Sequence, residues 1–158
     1  MAKKIDREIV QQLDREFGDL INSLKDLASS VPINILYRNP PEISIGECIL
    51  RSAAKIEQTC GGLTSNLWDD PFEWTLPETL SNSELIVDYL SEVDRLRQLA
   101  FNSIADDSAL TKYISAPVGE RQLVNVLLET LVEAGDYRGR AVGTIKILSD
   151  EGAARFII

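Results

Sequence analysis

The chain has 158 residues, 44% of them apolar, and sets 16 Lys and Arg against 25 Asp and Glu for a formal net charge of −9. That length suits one soluble domain with a core large enough to need neither disulfides nor structural metal. The absence of histidine excludes Ser-His-Asp and Cys-His catalysis and every His-ligated metal site, and the acidic balance disfavours nucleic acid and anionic lipid.

From Ile5, the residues Ile9, Leu13, Phe17, Leu20, Ile21, Leu24 and Leu27 repeat at i, i+3/i+4 and predict a first long helix over 3–29. Ser29-Ser30 before Val31-Pro32 ends it, because the residue preceding a proline is pushed out of the α region. Three prolines in 31–43 mark an extended connector. Ser44-x-x-Glu47 is a capping box that opens a second helix, with Ile43 and Cys48 as its hydrophobic staple. Gly61-Gly62 is the expected stop of that helix.

Cys48 and Cys60 lie on this same helix, about 18 Å apart at its rise per residue, too far for a disulfide. Both read as reduced core thiols, although Cys48 near a helix N-terminus is also a candidate reactive thiol. The connector 61–80 holds Trp68, Phe72 and Trp74, aromatics that should pack over an end of the molecule rather than face water. Ser81-x-x-Glu84 is a second predicted capping box. It opens a third helix with the stripe Ile86, Tyr89, Leu90, Val93, Leu96, Ala100 and Ile104.

The run 106–114 adds a helical turn, and a fourth helix is predicted from near Glu120 to Leu148, with Leu123, Leu127, Leu131, Ala134, Ala141, Ile145 and Leu148 on one arc. Gly135, Gly139 and Gly143 recur along it, each costing helix propensity by roughly 1 kcal/mol against Ala. Such a small-residue face permits close helix approach, inside the bundle or across a dimer. No segment alternates with period two for long enough to predict a strand. The expected fold class is all-α, a four-helix bundle, and its long connectors imply that at least one crosses the bundle and makes neighbours parallel. Residues 1–150 form the expected single domain, with 151–158 a C-terminal tail bearing Phe156, Ile157 and Ile158.

The fourth helix contains Glu129-Thr130-Leu131-Val132-Glu133-Ala134-Gly135-Asp136-Tyr137-Arg138-Gly139-Arg140. This segment resembles the DinB-like family, four-helix bundles in which one histidine on the second helix and two at i, i+4 on the fourth hold a metal, the last followed by Arg-Gly-Gln. Tyr137-Arg138-Gly139-Arg140 occupies that signature here. Ser44 to Glu47, the aromatic connector and Leu110 to Pro117 extend the similarity over most of the chain. The resemblance implies that Glu133 and Tyr137 stand at the fourth-helix histidine positions and Ser52 or Arg51 at the second-helix one. Ser52 is favoured because it lies in the arc of Ile45, Ile49, Ala53 and Ile56.

Three readings of these positions stay open. Ser52, Glu133 and Tyr137 form a hydrogen-bonded polar cluster without a metal; Glu133 and Tyr137 simply face water; or Glu129, Glu133 and Asp136 bind a hard divalent cation through oxygen. The expected function is a DinB-like bundle without the family metal site, non-catalytic or binding a small ligand in a pocket at Ser52, Glu133, Tyr137 and Arg140. Arg138 is a further candidate to meet an anion. The alternative is a metal-dependent hydrolase or thiol transferase with oxygen ligands replacing histidine. No cofactor is expected on the first reading and a divalent metal ion on the second. Expected partners are a second copy of the chain and a small molecule, with no nucleic acid and no membrane. The start MAKKIDREIV has no apolar signal-peptide core and no run reaches about 18 apolar residues, so the expected location is cytoplasmic.

Overall fold

The computed structural model describes residues 5–38, 43–71 and 75–150, the side chains of the last two excepted. It is mostly helical. The elements are α1 (Glu8–Ser30), a one-turn α2 (Ile33–Leu36), α3 (Ile45–Ser65), α4 (Ser83–Asn102), a 3-10 turn (Asp107–Thr111), the strands β1 (Tyr113–Ala116) and β2 (Gly119–Gln122), and α5 (Leu123–Asp150). Among the described residues, no helix is long and apolar enough to cross a membrane. Phe72, Trp74, the Pro40-Pro41 pair and the 151–158 tail lie outside the described residues.

Helix directions follow from the contacts that tie them. Arg97 of α4 pairs with Asp14 of α1, and Arg7 just before α1 donates to Phe101 O near the end of α4 at 2.9 Å, so α1 and α4 are antiparallel. Ser52 meets Ala134 and Thr59 meets Thr130, which makes α3 and α5 antiparallel. The connector after α3 returns along the bundle: Tyr37, whose ring covers Gly46 at the start of α3, donates to Leu80 O just before α4. Thus α3 and α4 run parallel, and so do α1 and α5, whose middles meet where Arg138 donates to Ser23. The crossing connector expected from loop length is present.

The core fills the space between the four long helices. Val10, Phe17, Ile21, Leu24, Ile49, Ile56, Leu90, Phe101, Leu127 and Ile145 are all essentially buried, and the rings of Phe17 and Phe101 stack tilted at 5.2 Å between centroids. The α1 stripe begins at Val10 rather than Ile9, which is 56% exposed. Two turns back from Phe17, about 7.2 residues, fall on Val10. Every buried position expected on α5 faces the core, with Leu131 half-buried against it.

Several boundaries differ from the sequence expectations. The predicted Ser44 box forms in full: Glu47 N donates to Ser44 Oγ at 3.1 Å and Ser44 N to Glu47 Oε2 at 3.0 Å. The second box does not, because Asn82 rather than Ser81 caps α4, accepting from Leu85 N at 2.9 Å. Asn is as good a cap as Ser, and the helix starts one residue later than Ser81 would place it. Gly61-Gly62 does not stop α3. The helix continues to Ser65 and ends on Asn66 in the left-handed region at φ 54°. Gly62 serves instead to admit Trp68: a Cβ there would lie 2.2 Å from the indole.

The structure agrees with the all-α class and adds one small hairpin where no strand was expected. β1 and β2 pair antiparallel with Ala116 opposite Gly119 across Pro117-Val118, and Gly119 takes φ 112°. Four-residue strands are too short for period-two alternation to register, and α5 begins after β2 rather than at Glu120.

Candidate functional site

The positions singled out on α3 and α5 meet along the seam where these two antiparallel helices pack. Ser52 is fully buried and donates to Ala134 O of α5 at 2.7 Å. Its hydroxyl therefore crosslinks two helices and is turned away from Glu133 and Tyr137. The expected Ser52–Glu133–Tyr137 hydrogen-bonded cluster is not formed. Glu133 faces outward, its side chain 56% exposed, and pairs with Lys55 Nζ at 3.3 Å. The separation has a helical cause: Ala134 takes the inward position next to Ser52, and Glu133, one residue away, is rotated by about 100°.

Tyr137 is half-buried, with the guanidinium of Arg140 5.3 Å and that of Arg51 6.0 Å from its ring centroid. Both distances lie within cation–π range. Arg140 also bonds Asp136 at 2.9 Å, an i, i+4 pair on the helix surface. Together Lys55, Val132, Glu133, Asp136 and Tyr137 line an open cleft of about 450 Å³. The charged groups of its lining are Lys55, Glu133 and Asp136, and Arg51 and Arg140 stand at the ring of Tyr137 beside it.

The three carboxylates considered for a hard cation do not converge. Glu129 is held bidentate by Arg121 of β2, Glu133 by Lys55 of α3, and Asp136 by Arg140 of its own helix. Among the described residues, no three His, Cys, Asp or Glu side chains group so as to hold a metal ion. The Arg121 contact holds the Glu129 carboxyl below the usual carboxylate range. Arg138 leaves the seam and donates to Ser23 of α1.

Cys48 is buried at the end of this seam. Burial pushes its thiol up to about 11, with Arg140 and Arg51 opposing the shift. A thiolate is thus scarce near neutral pH, and the reactive-thiol reading gives way to the core-thiol reading. Cys60, also buried and free, is raised by burial to about 12.

Two contributors were not given their role by the sequence. Lys55 carries no motif, and its meeting with Glu133 depends on the α3–α5 register. The Arg51 position was discounted as a ligand because it points away from the apolar arc, and that outward direction is what brings it to Tyr137. A buried pair, Thr59 and Thr130, also bridges the seam at 2.5 Å between hydroxyl oxygens, Thr130 passing its own proton to Val126 O.

No family model matches the chain, and no match was found among curated proteins or solved structures. The family resemblance accordingly rests on the residues of α3 and α5 themselves.

Proposed function

We propose that the chain is a DinB-like helical bundle that has exchanged the histidine metal centre for an anion-binding cleft between α3 and α5. It holds a small organic acid or phosphate rather than transforming it. The observation that carries this reading is the approach of two arginines to one tyrosine ring beside a cleft edged by Lys55. Ring contact orients the guanidinium of Arg140, whose planar fork carries N–H donors besides the nitrogen that pairs with Asp136, in a geometry suited to carboxylate or phosphate oxygens. The nearby thiol, Cys48, is buried and protonated, which removes the closest nucleophile from play.

Calorimetric titration with inorganic phosphate and with citrate tests the proposal. Binding should be saturable, survive Tyr137→Phe, which keeps the ring, and weaken in Tyr137→Leu and in Arg140→Ala. Heat that is absent for both probes, or unaffected by Arg140→Ala, contradicts it.

A further inference from the structure

The cleft between α3 and α5 carries carboxylates as well as cations. Glu133 and Asp136 line it with Lys55, Val132 and Tyr137. On α5, Asp136 and Tyr137 follow Glu133 at i+3 and i+4, so the three share one facet of the helix, and the two carboxylates are close enough to repel. An anion that enters alone meets both carboxylates and the electron-rich face of the tyrosine ring. Lys55 and Arg140 offset this only in part, because Lys55 is paired with Glu133 at 3.3 Å and Arg140 with Asp136 at 2.9 Å. Each cation that turns to the anion leaves a carboxylate behind. An anion that brings its own cation avoids that cost.

We infer that the ligand of this cleft is a small zwitterion, an amino acid with an anionic side chain, whose ammonium lies between Glu133 and Asp136 while its two carboxylates take donors of Lys55 and Arg140. The inference rests on the anion-site reading above and adds the cationic half of the ligand. Two separate cations at the cleft call for two anionic groups, and two neighbouring carboxylates on one helix facet call for one cation between them.

The hydrogen-bonding capacity matches on both sides. The existing pairs run through Glu133 Oε2 and Asp136 Oδ2, and a carboxylate accepts through two oxygens, so an ammonium with three N–H donors can reach both side chains. Every group that gives up a partner inside the cleft gains one from the ligand, in charge-assisted bonds. Val132, 71% exposed, offers apolar contact to the methylenes that join the ligand's charged ends. The cavity of about 450 Å³ lies within the size range of small-molecule sites.

Calorimetric titration of the full chain at neutral pH with L-glutamate and with glutarate, which lacks only the amino group, tests this. Glutamate should bind at least about tenfold tighter than glutarate. Glu133→Gln and Asp136→Asn, both at exposed positions, should keep the melting temperature and each remove most of that preference. They should do so by weakening glutamate, while glutarate binds as well as before or better because a cation has been released. Glutarate bound as tightly as glutamate overturns the zwitterion and leaves a plain anion site. A preference for glutamate that survives both substitutions together also overturns it, since the ammonium then lies elsewhere. Heat from phosphate but from neither of these two ligands counts against the inference alone, and silence from all three removes the anion reading with it.

Discussion

Ser52 commits its only proton to Ala134 O in a fully buried position. Ser52→Ala should therefore lower stability by about 1 kcal/mol, the net worth of a typical intramolecular hydrogen bond, and leave anion binding unchanged. Urea unfolding beside calorimetry checks both, and lost binding at unchanged stability would return Ser52 to the site. Glu57 makes a different demand. Burial raises its carboxyl above 4.5, and the bond it accepts from Tyr89 at 2.5 Å only partly opposes this. In the window between the ordinary value and the raised one, the folded state holds a proton that the unfolded chain has lost, so stability falls as pH rises. Glu57→Gln keeps an acceptor for Tyr89 and removes the titration, and its melting temperature should fall less over that window; equal slopes contradict the assignment. The thiols give a third expectation. With both raised by burial to about 11 and 12, neither should react with an aromatic disulfide reagent in the native state, and labelling should track unfolding. At this scale the sequence showed which residues were chemically unusual but not whom they touch: the inward wheel position of Ser52 was legible, whereas its partner, a backbone carbonyl on another helix, has no side-chain signature.

Helix ends show how far local chemistry reaches. The Ser44 box is wholly local and was readable as four residues. The start of α1 is not. Arg7 at its N-cap makes no side-chain cap, and the free amides of Ile9 and Val10 are instead taken by Asp107 of the 3-10 turn, at 3.1 and 2.9 Å. Desolvation pushes the Asp107 carboxyl up, and the bonds from Val10 and Ile9, with one from Asp6, together outweigh it and hold the carboxyl below its ordinary 3.8. The stability they add is present above that value and is lost as pH falls through the lowered one. Asp107→Ala should thus lower the melting temperature at neutral pH, with the gap to wild type closing in strong acid; a gap that persists there would point to packing. Gly62 is a comparable non-local case, a residue that reads as a helix stop and acts as a seat for Trp68. Gly62→Ala in a Trp74→Phe background should displace the remaining indole and shift its emission to the red. An unmoved spectrum would mean that the connector adapts without leaving α3.

For the whole molecule, the parallel pairing of α3 with α4 follows from a connector that must travel back along α3 before α4 can start, which Trp68 on Gly62 and Leu80 on Tyr37 mark at its two ends. Length alone announced that crossing, because a short loop can join only antiparallel neighbours. The helix count and core faces were equally legible, since 3.6-residue periodicity is written into each segment. Register was not, and the candidate site is a matter of register: Lys55 meets Glu133, and Arg51 meets Tyr137, only because α3 and α5 slide to the offset that Ser52–Ala134 and Thr59–Thr130 lock. The account's central claim is that this offset builds an anion site. It is tested most directly by titrating inorganic phosphate into the isotope-labelled protein and following backbone amide resonances. The account predicts saturable shifts concentrated on Arg51, Lys55, Glu133, Tyr137 and Arg140, and lost in Arg140→Ala. Shifts that never saturate, or that gather in the groove of Asp19, Ser23 and Arg138 between α1 and α5, would contradict it.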